Sequence, residues 1–294
     1  MKIFDCTTYY DEELIMDIRF NTLNDQVEKF IVVESLFSHS GKKKKLNFNI
    51  NNYSKFKDKI VYIVIEKEPD NLKNNNQLSQ SDKRMNSLKR IEQSYDYMLN
   101  GIKDVGEDDL VILSDNDEIP NLRSDQFLRS KKNIIIFKQL LFYYKFNLNY
   151  ENLTWFGSKA CKKKKLKSMS WLRNLKNKEY PWWRVDVMFS NFKQRDLEIV
   201  NDGGWHFTNI KTPEKLLEKL KNFGHHDEFD ESGIDLNFIK SKIENKEVFY
   251  DHFLDKKNPN KWRSNYKLKK VSNSILPEYV IKNHQKYKNW FDQS

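Results

Sequence analysis

The chain has 294 residues, 52 Lys and Arg against 42 Asp and Glu, a net charge of +10, and 38% hydrophobic residues. That is apolar material for one large domain or two small ones, which excludes a disordered chain. Two cysteines, Cys6 and Cys161, exclude a disulfide framework and favour a reduced, cytoplasmic setting. The most apolar run, 134–144, is interrupted by Lys138 and Gln139 and falls short of the ~20 residues that span a bilayer. Contact with a membrane, if any, is therefore expected to be peripheral, at the inner face.

In chain order, apolar runs predict strands at Lys2–Asp5, Lys29–Glu34, Ile60–Ile65, Leu110–Ser114 and Ile134–Phe137. Between them, Glu12–Asn24 places Leu14, Ile15, Ile18 and Leu23 at helical spacing, and Asp82–Leu99 does the same with Met85, Leu88, Ile91, Tyr95 and Met98. Alternation of strand and helix predicts an α/β fold with a mainly parallel sheet flanked by helices. Residues 68–82 read as a polar loop. The aromatic segment 155–183, with lysines at 162–165, reads as turns and short strands. Thr212-Pro213-Glu214 has the form of a helix start, Thr212 being the cap. A further helix is expected at Leu236–Glu244, followed by a basic, aromatic, irregular tail from Phe253. With no repeat and no low-complexity linker, one domain over 1–294 is expected. Its halves are 1–145, which would bind a nucleotide sugar, and 146–294, an acceptor side with an irregular and helical C-terminal elaboration.

The sharpest chemical feature is Ser114-Asp115-Asn116-Asp117-Glu118-Ile119-Pro120. In open α/β sheets ligands bind at the carboxyl ends of strands. Three acids in that place repel one another unless a cation is present, and hard divalent ions take oxygen ligands. Asp115 and Asp117 are thus expected to hold Mn²⁺ or Mg²⁺ and, through it, a diphosphate; an acidic turn or a helix cap is the plain alternative. Asp202-Gly203-Gly204-Trp205-His206 is the second feature. Paired glycines point to a close backbone approach, His206 to a nitrogen ligand for the same ion, and Trp205 to an apolar wall for a sugar ring or base.

Softer candidates are Arg90, whose guanidinium suits phosphate, and Glu34, at a strand end where a nucleotide or acceptor would lie. The group His225-His226-Asp227-Glu228 offers a general base or an extra ligand, an exposed charged loop being the plain alternative. The lysine runs 42–45 and 162–165 read either as solvated surface or as an approach to an anion.

Taken together, these blocks resemble glycosyltransferase family 17, which includes the enzyme adding bisecting N-acetylglucosamine. The similarity runs from Phe4-Asp5-Cys6 and Asp11-Glu12-Glu13-Leu14 through Phe30-Ile31-Val32-Val33-Glu34-Ser35, Phe37, Gly41 and Leu46-Asn47-Phe48. It continues in Asp108-Asp109, the Asp115–Pro120 block, Gly204-Trp205-His206-Phe207, Thr212-Pro213-Glu214 and Leu276-Pro277-Glu278-Tyr279-Val280. The resemblance implies a GT-A (Rossmann-like) fold and a UDP-sugar donor, UDP-N-acetylglucosamine. It also implies a divalent cation on Asp115 and Asp117 with His206, donor contact from Arg90, and inversion at the anomeric carbon. Asp227 or Glu228 is then the expected base, with Asp202 second. The chain departs from the family in having Asn86 where an acid is expected one turn before Arg90. It also lacks the anchor and cysteine set of Golgi members, so the expected acceptor is a glycan or lipid-linked saccharide rather than a glycoprotein. The rival readings are a metal-dependent nuclease or nucleic-acid-binding protein, and a carbohydrate-binding protein with no metal. A nuclease calls for a lysine close behind the acids, where Ile119-Pro120 stand instead, and a binding protein has no need of three acids at a strand end.

Overall fold

A computed structural model describes residues 1–74, 77–255, 258 and 260–293. The first four strands, β1 (Ile3–Tyr9), β2 (Lys29–Ser35), β3 (Ile60–Ile65) and β4 (Leu110–Ser114), are parallel and ordered β3-β2-β1-β4. Helix α1 (Glu13–Leu23) makes the β1–β2 crossover and α2 (Gln80–Met98) the β3–β4 crossover. Buried on both faces, β2 and β4 read as unbroken apolar runs, which is why 29–34 and 110–114 stand out in the sequence; the edge strand β3 is half-buried.

Beyond β4 the sheet becomes mixed. A three-residue strand β5 (Glu118–Pro120) and a short helix α3 (Asp125–Arg129), capped by Ser124, lead into β6 (Ile134–Tyr143). A brief β7 (Leu148–Asn149) precedes β8 (Trp155–Lys162), which inserts antiparallel between β4 and β6. Residues 155–162 are therefore one eight-residue central strand in place of the turns and short strands expected there. The polar side chains Ser158 and Lys159 disguised it; both are buried and satisfied within the fold. After α4 (Met169–Asn174), β9 (Leu197–Val200) and β10 (Gly204–Thr208) run in turn parallel along the other edge of β6. The sheet is thus continuous across residue 145.

The C-terminal part adds α5 (Pro213–Asn222), α6 (His226–Glu231) and α7 (Leu236–Glu244). Short strands β11 (Glu247–Val248), β12 (Tyr266–Lys267) and β13 (Lys269–Lys270) and helix α8 (Glu278–Lys282) complete it. Thr212 caps α5 as expected, its hydroxyl accepting from the Lys215 amide, with Pro213 in the first turn. The residues expected to be an irregular tail thus contribute β12, β13 and α8. Cys6 and Cys161 are free thiols, both buried. No helix among the described residues is long and apolar enough to cross a membrane.

Two buried devices set the geometry of the acidic turn after β4. Arg19 of α1 is fully buried, ion-paired through Nε and Nη2 to Asp5 of β1 at 2.6 and 2.5 Å, and its Nη1 also donates to the carbonyl of Glu118. On the other side, β5 pairs antiparallel with β10, placing Glu118 opposite His206. The Phe207 amide donates to the Asp117 carbonyl at 2.8 Å.

Candidate active site

The two sequence motifs meet across the β5–β10 ladder, 89 residues apart from Asp117 to His206. His206 Nε2 lies 3.2 Å from Asp117 Oδ1, and Lys219 Nζ of α5 lies 3.4 Å from Asp117 Oδ2. Burial would raise the Asp117 carboxyl, but His206 and Lys219 outweigh it and hold Asp117 well below the usual carboxylate range. Asp115 points elsewhere: its Oδ2 accepts from Arg173 Nη2 of α4 at 2.5 Å and its Oδ1 from the Tyr95 hydroxyl at 3.4 Å. Glu118 is buried beneath both. It accepts from the Asp115 amide at 3.1 Å and from the Trp155 indole at 2.9 Å, and burial followed by the neighbouring Asp115 raises its carboxyl.

These groups line a cavity of about 470 Å³ over the carboxyl ends of β1, β2 and β4. Its polar wall carries Asp115, Asp117, Arg84, Arg90, Arg173 and Lys219; its apolar wall carries Trp155, Phe249, Tyr250 and Trp262. Trp155 stands 4.5 Å from the His206 ring, centroid to centroid, and Tyr143 hydrogen-bonds His252 at 2.9 Å. Burial pushes His252, and likewise His39, down to about 4, so both are neutral at physiological pH.

Arg90 lies in the cavity wall, where its Nε donates to Glu68 at 2.6 Å and its Nη1 to the His39 carbonyl at 3.2 Å. Gly41, at φ +88°, leaves room for this guanidinium; a Cβ there would come within 2.5 Å of Nη2. Asn86, at the departure from the family pattern, exchanges two 2.9 Å hydrogen bonds with the Lys73 backbone and so pins the polar loop to α2. The inner face of the first turns of α2 is accordingly polar, with Asn86 and Ser87 buried while Met85 and Leu88 are exposed, the reverse of the expected stripe. Those turns border the cavity instead of the core.

Five expected site residues stand outside the cavity lining: Glu34, Trp205, Asp202, Asp227 and Glu228. Glu34 is enclosed, accepting from the Asn47 and Phe48 amides, the Tyr62 hydroxyl and Lys44, so it fastens the 44–48 segment. Trp205 projects from the opposite face of β10 to His206, as alternation along a strand requires, and donates to the Ile275 carbonyl at 2.6 Å. Asp202 sits at the corner between β9 and β10 and accepts from Asn121 at 2.9 Å. The glycines after it do serve a close approach, but to protein: a Cβ on Gly203 would meet the Lys138 backbone at 2.5 Å, and Gly204, at φ +107°, lies against the Ile119 carbonyl.

Asp227 and Glu228 are buried on α6 behind the wall. Glu228 reaches the cavity through His225, whose Nδ1 lies 2.9 Å from Glu228 Oε1 and whose ring lines the cavity; Arg84 Nη2 is 3.2 Å from His225 Nε2.

Sequence reading missed Arg173, Lys219 and Trp155, whereas His225, part of the expected 225–228 group, does line the cavity. One signal was available for the arginines, since the chain has only nine against 43 lysines. Four of the nine, Arg19, Arg84, Arg90 and Arg173, sit in or directly beneath this site.

Among the described residues no three His, Cys, Asp or Glu side chains form a closed metal cage. The donor chemistry nonetheless fits a hard cation: ions such as Mg²⁺ are commonly held by one or two carboxylates, the remaining positions being filled by substrate phosphate and water. Asp117 and His206 are already adjacent, whereas Asp115 would have to exchange Arg173 for the ion.

A β3-β2-β1-β4 parallel order with acids at the carboxyl end of β4 defines an α/β protein of nucleotide-binding topology. The chain belongs to glycosyltransferase family 17, whose family model matches residues 1–291. It is thus a glycosyltransferase, working between a sugar donor and an acceptor. No curated protein matches the sequence. Solved structures with some likeness include HddC from Yersinia pseudotuberculosis, with 11% identity over 68% of this chain and 91% of that one and a TM-score of 0.30. Another is the inositol-1-phosphate CTP transferase from T. maritima, with 12% identity over 75% and 96% and a TM-score of 0.33. A third is the 2-C-methyl-D-erythritol 4-phosphate cytidylyltransferase of Francisella tularensis, with 15% identity over 56% and 74% and a TM-score of 0.27. Likeness at this level says nothing about what this chain binds.

Proposed function

We propose that the protein is an inverting, metal-dependent glycosyltransferase that moves N-acetylglucosamine from UDP-N-acetylglucosamine to a hydroxyl of a glycan acceptor. The observation that carries this reading is the meeting of Asp115, Asp117, His206, Arg173 and Lys219 on one wall of a cavity whose other wall is aromatic. A cation bound by Asp117 with Asp115 and His206 would supply Lewis-acid stabilisation of the departing diphosphate.

The chain's own residues do the rest. Arg173 and Lys219, released from the acids, would turn to the phosphate oxygens, together with Arg90 and Arg84, so that negative charge developing on the leaving group meets fixed positive charge. The uridine would lie toward Phe37 and His39 at the ends of β2 and α2, and the acceptor sugar against Trp155 and Tyr250. Of the expected bases, Glu228 is the one connected to the cavity. It holds His225 with Nδ1–H toward the carboxylate, which leaves Nε2 to take the acceptor proton once the donor phosphates draw Arg84 away.

The test is a thermal shift. UDP with Mn²⁺ should raise the melting temperature more than either alone, and UDP-N-acetylglucosamine with Mn²⁺ should be slowly hydrolysed. No stabilisation by UDP and metal, with tight salt-sensitive DNA binding instead, would overturn the reading in favour of the nucleic-acid alternative.

A further inference from the structure

Between α4 and β9 the chain runs for 22 residues without a regular strand or α-helix, and within it the usual burial rule is reversed. Trp182, Met188 and Phe189 are 80%, 71% and 85% exposed, and Trp183, Val185 and Phe192 are exposed as well. The two indoles touch edge to face, 6.1 Å apart. Six large apolar side chains in eleven residues leave a contiguous apolar tip that soluble surfaces rarely show unless something covers it.

The segment is held in place and is not a loose end. The Lys176 amide donates to the Phe192 carbonyl at 2.9 Å and closes its base. Trp171 of α4 donates to the Asn191 carbonyl at 2.7 Å, and Asp186 is clasped by Arg184 and Lys193, each at 2.6 Å. Leu175 and Val187 turn inward.

Its electrostatic setting is the second observation. Residues 162–195 contain eleven Lys or Arg and two acids, so this stretch carries nearly all of the chain's net charge of +10. Lys167, just after the lysine run, reaches the base of the loop, its Nζ lying 3.5 Å from Asn191 Oδ1. Lys165, Lys167, Lys176, Lys178 and Arg195 are exposed around the base of the tip.

We propose that residues 180–192 form a membrane-docking loop, its apolar tip entering the interface of a bilayer whose anionic headgroups are met by the surrounding lysines and arginines. Tryptophan is favoured at the depth of the headgroups, and an apolar insertion combined with basic side chains is the two-part signal that stable peripheral attachment requires. Val185 and Met188, 60% and 71% exposed, separate this surface from a sugar-binding one. Stacking on a saccharide needs flat rings beside polar groups, whereas aliphatic tips gain only from hydrocarbon. The loop continues directly from α4, the helix whose Arg173 pairs with Asp115. The inference does not depend on which sugar is transferred.

The experiment is vesicle co-sedimentation of the full chain, using phosphatidylcholine vesicles with and without phosphatidylglycerol. The wild type should pellet with the mixed vesicles, weakly or not at all with phosphatidylcholine alone, and progressively less as salt is raised. Trp182→Ser/Phe189→Ser should weaken binding by at least ~10-fold, in line with the loss of two interfacial apolar anchors, while UDP-dependent thermal stabilisation stays unchanged. Replacing Lys165, Lys167 and Lys178 by Gln should remove the preference for anionic lipid. Failure of the wild type to bind mixed vesicles overturns the proposal, and so does a Trp182→Ser/Phe189→Ser variant that binds them as well as wild type. A self-association that this variant abolishes, without vesicle binding by the wild type, would assign the patch to a second copy of the chain instead.

Discussion

Two groups of aromatic and basic side chains lie on either side of α4, and the fold treats them oppositely. In the cavity Trp155 has its indole N–H on Glu118 and its ring on His206, and Arg173 has Asp115 as its partner. In the 180–192 loop Trp182, Met188 and Phe189 stand in water, and the basic residues around them outnumber the acids. Residue type alone therefore does not identify a site. What distinguishes the two regions is whether the protein supplies the partner. In the cavity partners are supplied and a ligand must displace them; on the loop they are not, and the partner comes from outside.

That comparison can be broken most forcefully at Asp117. Asp117→Asn should lower donor turnover by roughly 100- to 1000-fold, a loss on the scale of removing a key electrostatic element from an active site, while the far-ultraviolet circular dichroism stays unchanged. A variant that turns over normally would show that the acids are merely a turn. Next in size is Arg19→Leu, which strands buried Asp5 without its partner. Loss of one member of a buried pair costs about 3–5 kcal/mol, to be read from urea denaturation, and a change near zero would mean that Arg19 does not secure the acidic turn. Trp155→Phe keeps a ring over His206 but removes the hydrogen bond to Glu118. The expected cost is about 1.5–3 kcal/mol of stability, and an unaltered denaturation midpoint would argue against that bond.

A subtler test uses pH. Lys159 donates to the Arg173 and Leu175 carbonyls at 2.8 and 2.7 Å, and burial, followed by the nearby Arg173 charge, lowers it from 10.5 to about 7. Between those two values the unfolded chain holds the proton and the folded chain does not, so stability should rise with pH across that window, by up to about 1.4 kcal/mol per pH unit. Lys159→Met should flatten the slope; a slope equal to wild type would show that another group is responsible. The smallest effect belongs to the loop. Trp182→Ser/Phe189→Ser should shift the denaturation free energy by less than about 0.5 kcal/mol, and a large destabilisation would mean that the loop packs against the body of the protein.

Legibility in the sequence followed burial geometry. Strands β2 and β4 are covered on both faces and so read as plain apolar runs, as does the half-buried edge strand β3, and the acids that follow β4 are as conspicuous as the strand itself. Strand β8 was hidden because Gly157, Ser158 and Lys159 do not look like a sheet centre. Gly157 is needed because Gln139 and Glu118 occupy the space where its Cβ would point, and Lys159 is tolerated because two carbonyls receive its ammonium. The polar inner stripe of α2 misled for a related reason: the cavity, and not the core, lies against its first turns.

The chain order of apolar runs, the acidic turn after β4, the Gly-Gly-Trp-His block and the capped start of α5 were all determined locally, because strand burial, turn chemistry and helix capping act over a few residues. Which cations face the acids was decided only by the tertiary structure. Arg173 is 58 residues from Asp115, and Lys219 is 102 from Asp117. Among nine arginines and 43 lysines, nothing local marks those two, since an ion pair depends on distance in space and the sheet order alone sets that distance. The same holds for His206 and Trp205: one-residue alternation along β10 sends the imidazole to the cavity and the indole to the core, and only the pairing of β10 with β5 says which is which.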